Sequence, residues 1–235
     1  MRSVLTGLVL LTTLVVFAGE AVAMHVRTSI AIAAWSDDGA SVLLRIDDGG
    51  PEGGGALRYR LLSAGAPTDA TTTVSSNFSD GSREVETVSA ESRRSALAAL
   101  VTTLEAKGFR GVSTDGRTLR LPPPADGTPV VVEAAVNGAA KHGSTTGLRV
   151  VVEGAEVRVE SAGRTIARTR CLSAPYEAEK SYRTTAILSP SGRLMVVISS
   201  SAVLGIDSVC GTFASSSGRP AELRPVESSR LQGQP

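Results

Sequence analysis

The sequence has few histidine, cysteine and aromatic residues, and each shortage restricts its possible functions. Its 235 residues include two His and two Cys, and aromatic residues make up 3% of the chain. Platforms that stack nucleic-acid bases or sugar rings need more aromatic side chains than this. The formal net charge is +1, and the Lys and Arg residues are scattered, whereas nucleic-acid binding needs a basic surface that releases counterions. We therefore expect no nucleic-acid partner.

Known catalytic motifs are also missing. The sequence contains no Gly-x-Ser-x-Gly, Ser-x-x-Lys or His-Glu-x-x-His motif. A serine nucleophile needs a base, and the two histidines are His25, near the N-terminus, and His142, in a polar loop close to Ser144. Members of a catalytic triad meet through the fold rather than as sequence neighbours. We predict no catalytic or cofactor-binding residues and favour a protein that is not an enzyme.

Two pairs of adjacent carboxylates, Asp37–Asp38 and Asp47–Asp48, leave two alternatives open. One is a hydrolase with a site of scattered Asp, Glu and Ser residues, although adjacent residues on a strand point to opposite faces rather than across a cleft. The other is a calcium-stabilised, adhesion-like module that uses Asp47, Asp48 and Glu52 as oxygen ligands. This segment lacks the regular spacing of calcium loops, so we favour a solvated turn and predict no metal ligand.

The N-terminal segment has the organisation of a secretory signal peptide. Arg2 precedes an apolar run of about 15 residues, shorter than the ~20 residues that span a bilayer, and Ala21-Val22-Ala23 is a small-x-small cleavage site. We predict a signal peptide over residues 1–23, a mature start near Met24, and export to the periplasm or the medium with no transmembrane segment after cleavage. No cysteine follows the cleavage site, which argues against a lipid anchor.

Cys171 and Cys210 are the two cysteines of the chain. In an exported protein such a pair usually forms a disulfide, and closing a loop of this length stabilises the fold by ~4 kcal/mol in the chain-entropy model. Two reduced thiols and half of a metal site are the alternatives. The chain lacks Cys-x-x-Cys and has little His, so we predict a Cys171–Cys210 disulfide.

Most of the remaining sequence has the period of two that is typical of β-strands. In residues 56–62, Leu57, Tyr59 and Leu61 alternate with Arg58 and Arg60, which predicts a strand with one buried face. Further strand candidates are 129–136, 148–154, 155–161, 165–171 and 193–199. We predict a single β-rich domain over residues 24–214. From Ser215 onward the apolar periodicity is lost, which predicts a flexible tail over 215–235.

One segment has helical spacing instead. Leu97, Leu100, Val101 and Leu104 share one face of a helix predicted at about residues 89–107. Ser89 is a suitable N-cap, with Glu91 in the first turn, and Lys107-Gly108-Phe109 is a suitable C-terminus. The predicted fold is therefore α+β and mainly β: an antiparallel sheet or sandwich with this amphipathic helix packed on it.

A short pattern occurs three times, as WSDDG (35–39), VSTDG (112–116) and LSPSG (188–192). Its serines, Ser36, Ser113 and Ser189, are almost evenly spaced. The pattern resembles the W-S-P-D-G-like turn that joins two strands in each blade of TolB-type β-propellers. This resemblance implies a degenerate small propeller as the alternative fold, whereas Asp-Gly turns in ordinary hairpins explain the same copies.

The segments Trp35–Gly39, Pro175-Tyr176-Glu177 and Leu188–Gly192 also resemble those of predicted secreted bacterial proteins of unknown function. This resemblance implies export and β structure. Together these features favour an exported, non-catalytic envelope or secreted protein that binds an unidentified envelope or extracellular macromolecule.

Overall fold

A computed structural model describes residues 27–49, 55–64, 70–79, 84–122, 130–136, 147–153, 156–170, 182–201 and 206–226. The predicted signal peptide, 1–23, lies outside these residues. In the described residues the chain is mainly β with one α-helix, as the sequence predicts. The strands of the N-terminal half are β1 (Arg27–Trp35), β2 (Ser41–Gly49), β3 (Gly55–Ser63), β4 (Ala70–Ser79) and β5 (Glu84–Glu86), and they precede helix α1 (Ala90–Ala106) and a small hairpin of β6 (Ser113–Thr114) and β7 (Leu119–Arg120).

The C-terminal half contains the remaining strands. They are β8 (Val130–Val136), β9 (Leu148–Glu153), β10 (Glu156–Ser161), β11 (Arg164–Arg170), β12 (Tyr182–Leu188), β13 (Leu194–Ser201), β14 (Ile206–Ser215) and β15 (Leu223–Pro225). Thirteen strands form one hydrogen-bonded sheet in the order β11-β10-β9-β8-β12-β13-β14-β1-β2-β3-β4-β5, with β15 paired to β14. Two of its pairings are parallel, β1 with β14 and β8 with β9. The predicted α+β, mainly β fold with one helix is confirmed in the described residues. These residues form no propeller or closed barrel, so the propeller alternative is wrong.

Three apolar cores show that this long sheet folds over itself into layers. The inner core joins β2 and β3 to β13 and β14 through Val42, Leu44, Leu62, Leu194, Val196, Ile198 and Val209. The helix-side core joins the other face of β2 and β3 to α1, and includes Leu43, Tyr59, Leu61, Leu97, Leu100 and Leu104. The outer-sheet core packs β9–β11 on the other face of β12–β14, and includes Val150, Val157, Val159, Met195, Val197 and Phe213.

The two middle layers are therefore buried on both faces. On β2, Leu43 points to the helix and Leu44 to the inner core, and neither is exposed. The expectation that the strand at 56–62 buries one face needs correction, because Arg60 on its other face is 3% exposed. The opposing sheet covers that face as well, which a pattern read within one strand does not reveal.

Helix α1 begins and ends as its sequence predicts. The Ser89 hydroxyl accepts a hydrogen bond from the Ser92 amide (3.1 Å), which satisfies one free amide of the first turn. At the C-terminus the Gly108 amide donates to the Glu105 carbonyl and the Phe109 amide to the Leu104 carbonyl, each at 3.0 Å. This is a Schellman motif, and Gly108 has the positive φ of +80° that it requires.

Part of the segment predicted as a flexible tail, 215–235, forms regular structure. Residues 220–222 form a 3-10 turn, and β15 pairs with β14 through Phe213–Pro225, Ala214–Arg224 and Ser215–Leu223. Leu223 is fully buried in the outer-sheet core. A single apolar residue in a polar, proline-containing segment has no periodicity, which is why the sequence pattern missed this strand.

Candidate functional site

The turns after β1 and after β12 have the same backbone structure. In the first, the Ser36 amide donates to the Ser41 carbonyl (2.9 Å) and the Gly39 amide donates to the Ser36 carbonyl (2.8 Å). Ser189 and Gly192 make the equivalent bonds in the second turn, at 2.7 and 2.9 Å. Gly39 and Gly192 have φ values of +64° and +71°, which favour glycine. Two copies of the predicted turn pattern are therefore structurally equivalent.

These two turns are also in contact with each other. The Ser191 hydroxyl donates to the Asp38 carbonyl (2.8 Å), and Arg193 Nη1 lies 3.0 Å from Asp38 Oδ2. The approach is so close that a Cβ added to Gly39 would lie 2.1 Å from Ser191 Oγ. We call residues 36–41 and 189–194 together the turn junction, because they join the two middle layers at one end.

The polar groups of the turn junction are committed to its own hydrogen bonds. Ser36 Oγ accepts from the Ser41 amide (2.9 Å) and donates to Asp38 Oδ1 (2.8 Å). Ser189 Oγ accepts from the Arg193 and Leu194 amides, both at 3.1 Å. Both serines are buried. The geometry assigns these hydroxyls to the structure of the turns.

Asp38 is held in its ionised form. Partial burial alone raises the pKa of this carboxyl, but hydrogen bonds from the Ala40 amide and the Ser36 hydroxyl, together with the Arg193 charge, outweigh that effect and lower it. A general acid at neutral pH needs a raised pKa, so this carboxylate is suited to pairing rather than to proton donation.

The third copy of the pattern forms a different turn. Ser113 and Thr114 pair with Arg120 and Leu119 in the β6–β7 hairpin, and the loop is organised by Asp115, whose Oδ1 accepts from two backbone amides at 2.8 Å. This hairpin lies in its own two-stranded sheet. The even spacing of the three serines therefore does not correspond to three equivalent blades.

The second acidic pair, Asp47 and Asp48, is divided between the two faces of β2. Arg45 contacts both carboxylate oxygens of Asp47, at 2.9 and 3.0 Å. Asp48 accepts from the Thr28 hydroxyl and pairs with Arg58, each at 2.9 Å. Each carboxylate thus has its own partners, and the two do not converge on one ligand position. Glu52, the third proposed calcium ligand, lies outside the described residues.

Several other candidate residues also lie outside the described residues: His25, His142, Ser144, Cys171 and the segment Pro175–Glu177. Cys210 is described, is buried on β14 and is not a free thiol. Its pairing with Cys171 stays a prediction.

The outer face of the β9–β10–β11 sheet carries a network of charges. Arg158, at the centre of β10, lies 2.9 Å from Glu153, 3.4 Å from Glu156 and 3.9 Å from Glu160. The hydrogen bond to Glu153 is the largest effect on the guanidinium and raises the pKa of Arg158. Arg149 pairs with Glu160 at 3.7 Å. We call this face, formed by residues 149–170, the charged sheet face.

On β11, the edge strand of the charged sheet face, arginines outnumber acidic residues. The strand register places Arg168 directly opposite Arg158, and Arg170 opposite Glu156. Arg168 Nε lies 3.4 Å from Glu156 Oε1, the same oxygen that Arg158 contacts. Glu156 is therefore shared between Arg158 and Arg168, and β11 adds cations without adding acids. The sequence predicted that residues 156, 158 and 160 share an outward face. It did not predict which residues of β11 lie opposite them, because a bulge at Val159–Glu160 shifts the register of the two strands.

Within the described ranges, no group of three or more His, Cys, Asp or Glu side chains is placed to hold a metal ion. No helix in this part of the chain has the length and apolarity needed to cross a membrane. Compared with known proteins, the chain matches no family model, no curated sequence and no solved structure.

Proposed function

We propose that this is an exported, non-catalytic protein of the cell envelope or the medium that binds another macromolecule through the charged sheet face. The observation that supports the binding role is the arginine surplus at one edge of that face. Arg158 and Arg168 are directly opposite each other and share Glu156, and β11 carries three arginines and no acidic residue. A partner with acidic groups would pair with the exposed arginines of this face through charge-assisted hydrogen bonds.

Export is supported by the sequence of residues 1–23 and by the resemblance of Trp35–Gly39 and Leu188–Gly192 to segments of secreted bacterial proteins. It is tested by purifying the protein from fractionated cells and from the medium and measuring its N-terminus. We expect the exported chain, in the periplasm or the medium, to begin near Met24. A cytoplasmic chain that retains residues 1–23 would contradict the proposal.

The disulfide between Cys171 and Cys210 belongs to the same proposal. Thr169, two residues before Cys171, packs beside Cys210's neighbour Gly211, where an added Cβ would lie 2.7 Å from Thr169 Cγ2. This brings the end of β11 close to the middle of β14. In non-reducing denaturant, both cysteines are expected to resist thiol-specific labelling, and modification of both would refute the pairing.

The two alternative functions gain no support from the described residues. A hydrolase needs a nucleophile or a paired acid and base facing a substrate, whereas the serines and Asp38 of the turn junction bond to each other. A calcium module needs converging oxygen ligands, whereas Asp47 and Asp48 point apart. Measuring the melting temperature with calcium and with EDTA tests the second alternative. A higher melting temperature in calcium would support the calcium module.

Site-specific photo-crosslinking in the native host tests the binding role. A photoreactive residue at position 168, in the charged sheet face, is expected to yield a discrete adduct in the exported fraction. The same residue at position 98, exposed on the outer side of α1, is the matched control and is expected to yield none. Equal labelling from both positions, or none from position 168, would overturn the proposed surface.

A further inference from the structure

We propose that Arg93 blocks the outer edge of β4 and thereby prevents two copies of this chain from pairing through that strand. The inference is independent of the binding role proposed above and concerns the opposite end of the thirteen-stranded sheet. It depends on the part of β4 that β5 leaves uncovered, on the composition of that part, and on the contacts that Arg93 makes there.

β4 is only partly covered on its outer side. Of its ten residues, Ala70–Ser79, β5 pairs with residues 77–79 alone. Thr87, just after β5, extends this cover by one residue, because its amide and its hydroxyl both donate to the Ser76 carbonyl, at 2.7 and 2.8 Å. No described strand pairs with the outer edge of residues 70–75. The edge of a strand presents backbone amides and carbonyls with which another chain can pair.

The uncovered part of β4 has the composition of a self-associating segment. Residues 70–76, ATTTVSS, contain no charged residue, proline or glycine, and Thr and Val favour strands. Segments of six or seven residues with these properties pair with copies of themselves. Thr71 and Thr73 are exposed. In a symmetric antiparallel pair, Thr71 of one copy faces Thr73 of the other without electrostatic repulsion, so the partner that fits this edge is a second β4.

Arg93, near the start of α1, occupies this part of β4. The register of β3 and β4 shifts at Val74, which is left without a partner on β3. Arg93 Nε donates to the Val74 carbonyl at 3.1 Å, and Arg93 Nη2 pairs with Glu86 at the end of β5. A bulge and a charged side chain are two means by which proteins protect an exposed strand edge. On β4 both occur at one position, and the helix supplies the charge.

Arg94, the next residue of α1, provides a comparison. It is exposed, and its side chain lies on the β6–β7 hairpin, where its Cγ is 3.3 Å from the position of a Cβ added to Gly116. Removing Arg94 therefore takes one cation from the same helix without changing the contacts of β4.

Light scattering of the mature protein and its variants tests the proposal. Arg93→Ala removes both the hydrogen bond to Val74 and the ion pair with Glu86, and Arg94→Ala is the matched control. The average molar mass of each protein is measured from micromolar to millimolar concentration, the range in which exposed strand edges lead to association. Thermal melts of the same samples show whether each variant is folded.

We expect the molar mass of Arg93→Ala to rise with concentration to at least twice its value in dilute solution, whereas the wild type and Arg94→Ala show no such step. Adding Thr73→Lys to Arg93→Ala should reverse this association, because a charge at the edge itself blocks strand pairing. Thr73→Val, which keeps the edge uncharged and suited to a strand, is the control for that second change and should not reverse it.

An unchanged molar mass of folded Arg93→Ala over this range would overturn the proposal. Association that Thr73→Lys leaves in place, or that Arg94→Ala shows equally, would also overturn it, since the contact would then not lie at the edge of β4. Glu86→Gln, at a side chain 47% exposed, releases the Arg93 guanidinium without removing a buried group and should associate at higher concentrations than Arg93→Ala. If Arg93→Ala does not fold, the absence of association in Glu86→Gln refutes the proposal.

Discussion

In the N-terminal half of the molecule a helix covers the outer face of the middle sheet, whereas in the C-terminal half a second sheet does so. The hairpins β1–β2 and β12–β13 beneath these covers have the same turn and meet at the turn junction. The helix covers its sheet with leucines and exposes small and polar residues. The covering sheet buries valines and exposes Arg and Glu in a network. Equivalent hairpins thus leave the two halves with different outer surfaces, and the binding proposal concerns the second.

The largest expected effects come from truncating one leucine in each cover. Leu100→Ala on α1 and Leu148→Ala on β9 each remove a buried side chain, and each should lower the free energy of unfolding by ~2–5 kcal/mol. Urea denaturation of both variants measures the difference. A loss below about 0.5 kcal/mol in either variant, within the range of ordinary surface substitutions, would show that its cover is peripheral.

The contact between the two hairpins is tested by Gly39→Ala. The turn holds this residue at a φ of +64°, which strains an alanine, and the added Cβ would lie 2.1 Å from Ser191 Oγ. We therefore expect the free energy of unfolding to fall by about 3 kcal/mol, the sum of left-handed strain and overpacking. Gly163→Ala is the matched control, since its φ is +76° and no atom lies within 4 Å of the added Cβ. It should lose only ~1–2 kcal/mol. Equal losses of stability in the two variants would mean that the close contact between the two turns adds no steric cost at Gly39.

A smaller effect distinguishes the two equivalent serines. Ser189 Oγ accepts from two backbone amides and Ser36 Oγ from one. An unsatisfied buried donor costs ~1–3 kcal/mol, so Ser189→Ala should destabilise more than Ser36→Ala. Thermal melts of the two variants under the same conditions measure this order. The reverse order would show that the Ser36–Asp38 bond outweighs the second amide.

The smallest effect is the pH dependence at Asp38. Its pKa is lowered in the folded state from the ordinary value of 3.8, so the stability it contributes is present above 3.8 and is lost as the pH falls through the folded pKa. The pair with Arg193 is about half exposed and is worth at most about 1 kcal/mol. Urea midpoints of the wild type and Asp38→Asn should therefore differ at pH 7 and converge in acid. A difference independent of pH would exclude ionisation as its cause.

How much of the fold the sequence predicts depends on the range of the interaction. The helix and its caps depend on interactions between residues close in sequence, so Ser89 and Gly108 predict where the helix begins and ends. The strands follow from alternation, and the two turns from their Ser and Gly residues. The layering is less accessible, because the apolar runs Val42–Leu44 and Leu194–Ile198 show burial on both faces without showing what covers each face.

The candidate surface was harder to predict than the fold. Alternation places Glu156, Arg158 and Glu160 outside, but only the register across the bulged β10–β11 pair aligns Arg158 with Arg168. Register depends on side-chain packing between strands. The spacing of the three serines, in contrast, predicted more regularity than the structure has. Only Ser36 and Ser189 occupy equivalent turns, and Ser113 lies in a separate hairpin.

The pairing of β1 with β14 also determines when the protein can fold. Asp207 accepts a hydrogen bond from the Ile30 amide, across 177 residues of sequence, and the inner core needs Leu194, Val196 and Val209 opposite Val42 and Leu44. During synthesis the N-terminal hairpins therefore have no partner for one apolar face until nearly the whole chain has been made. Folds with such distant contacts form slowly, and an uncovered apolar face promotes aggregation. A nascent chain of this protein should depend on chaperones until β13 and β14 emerge.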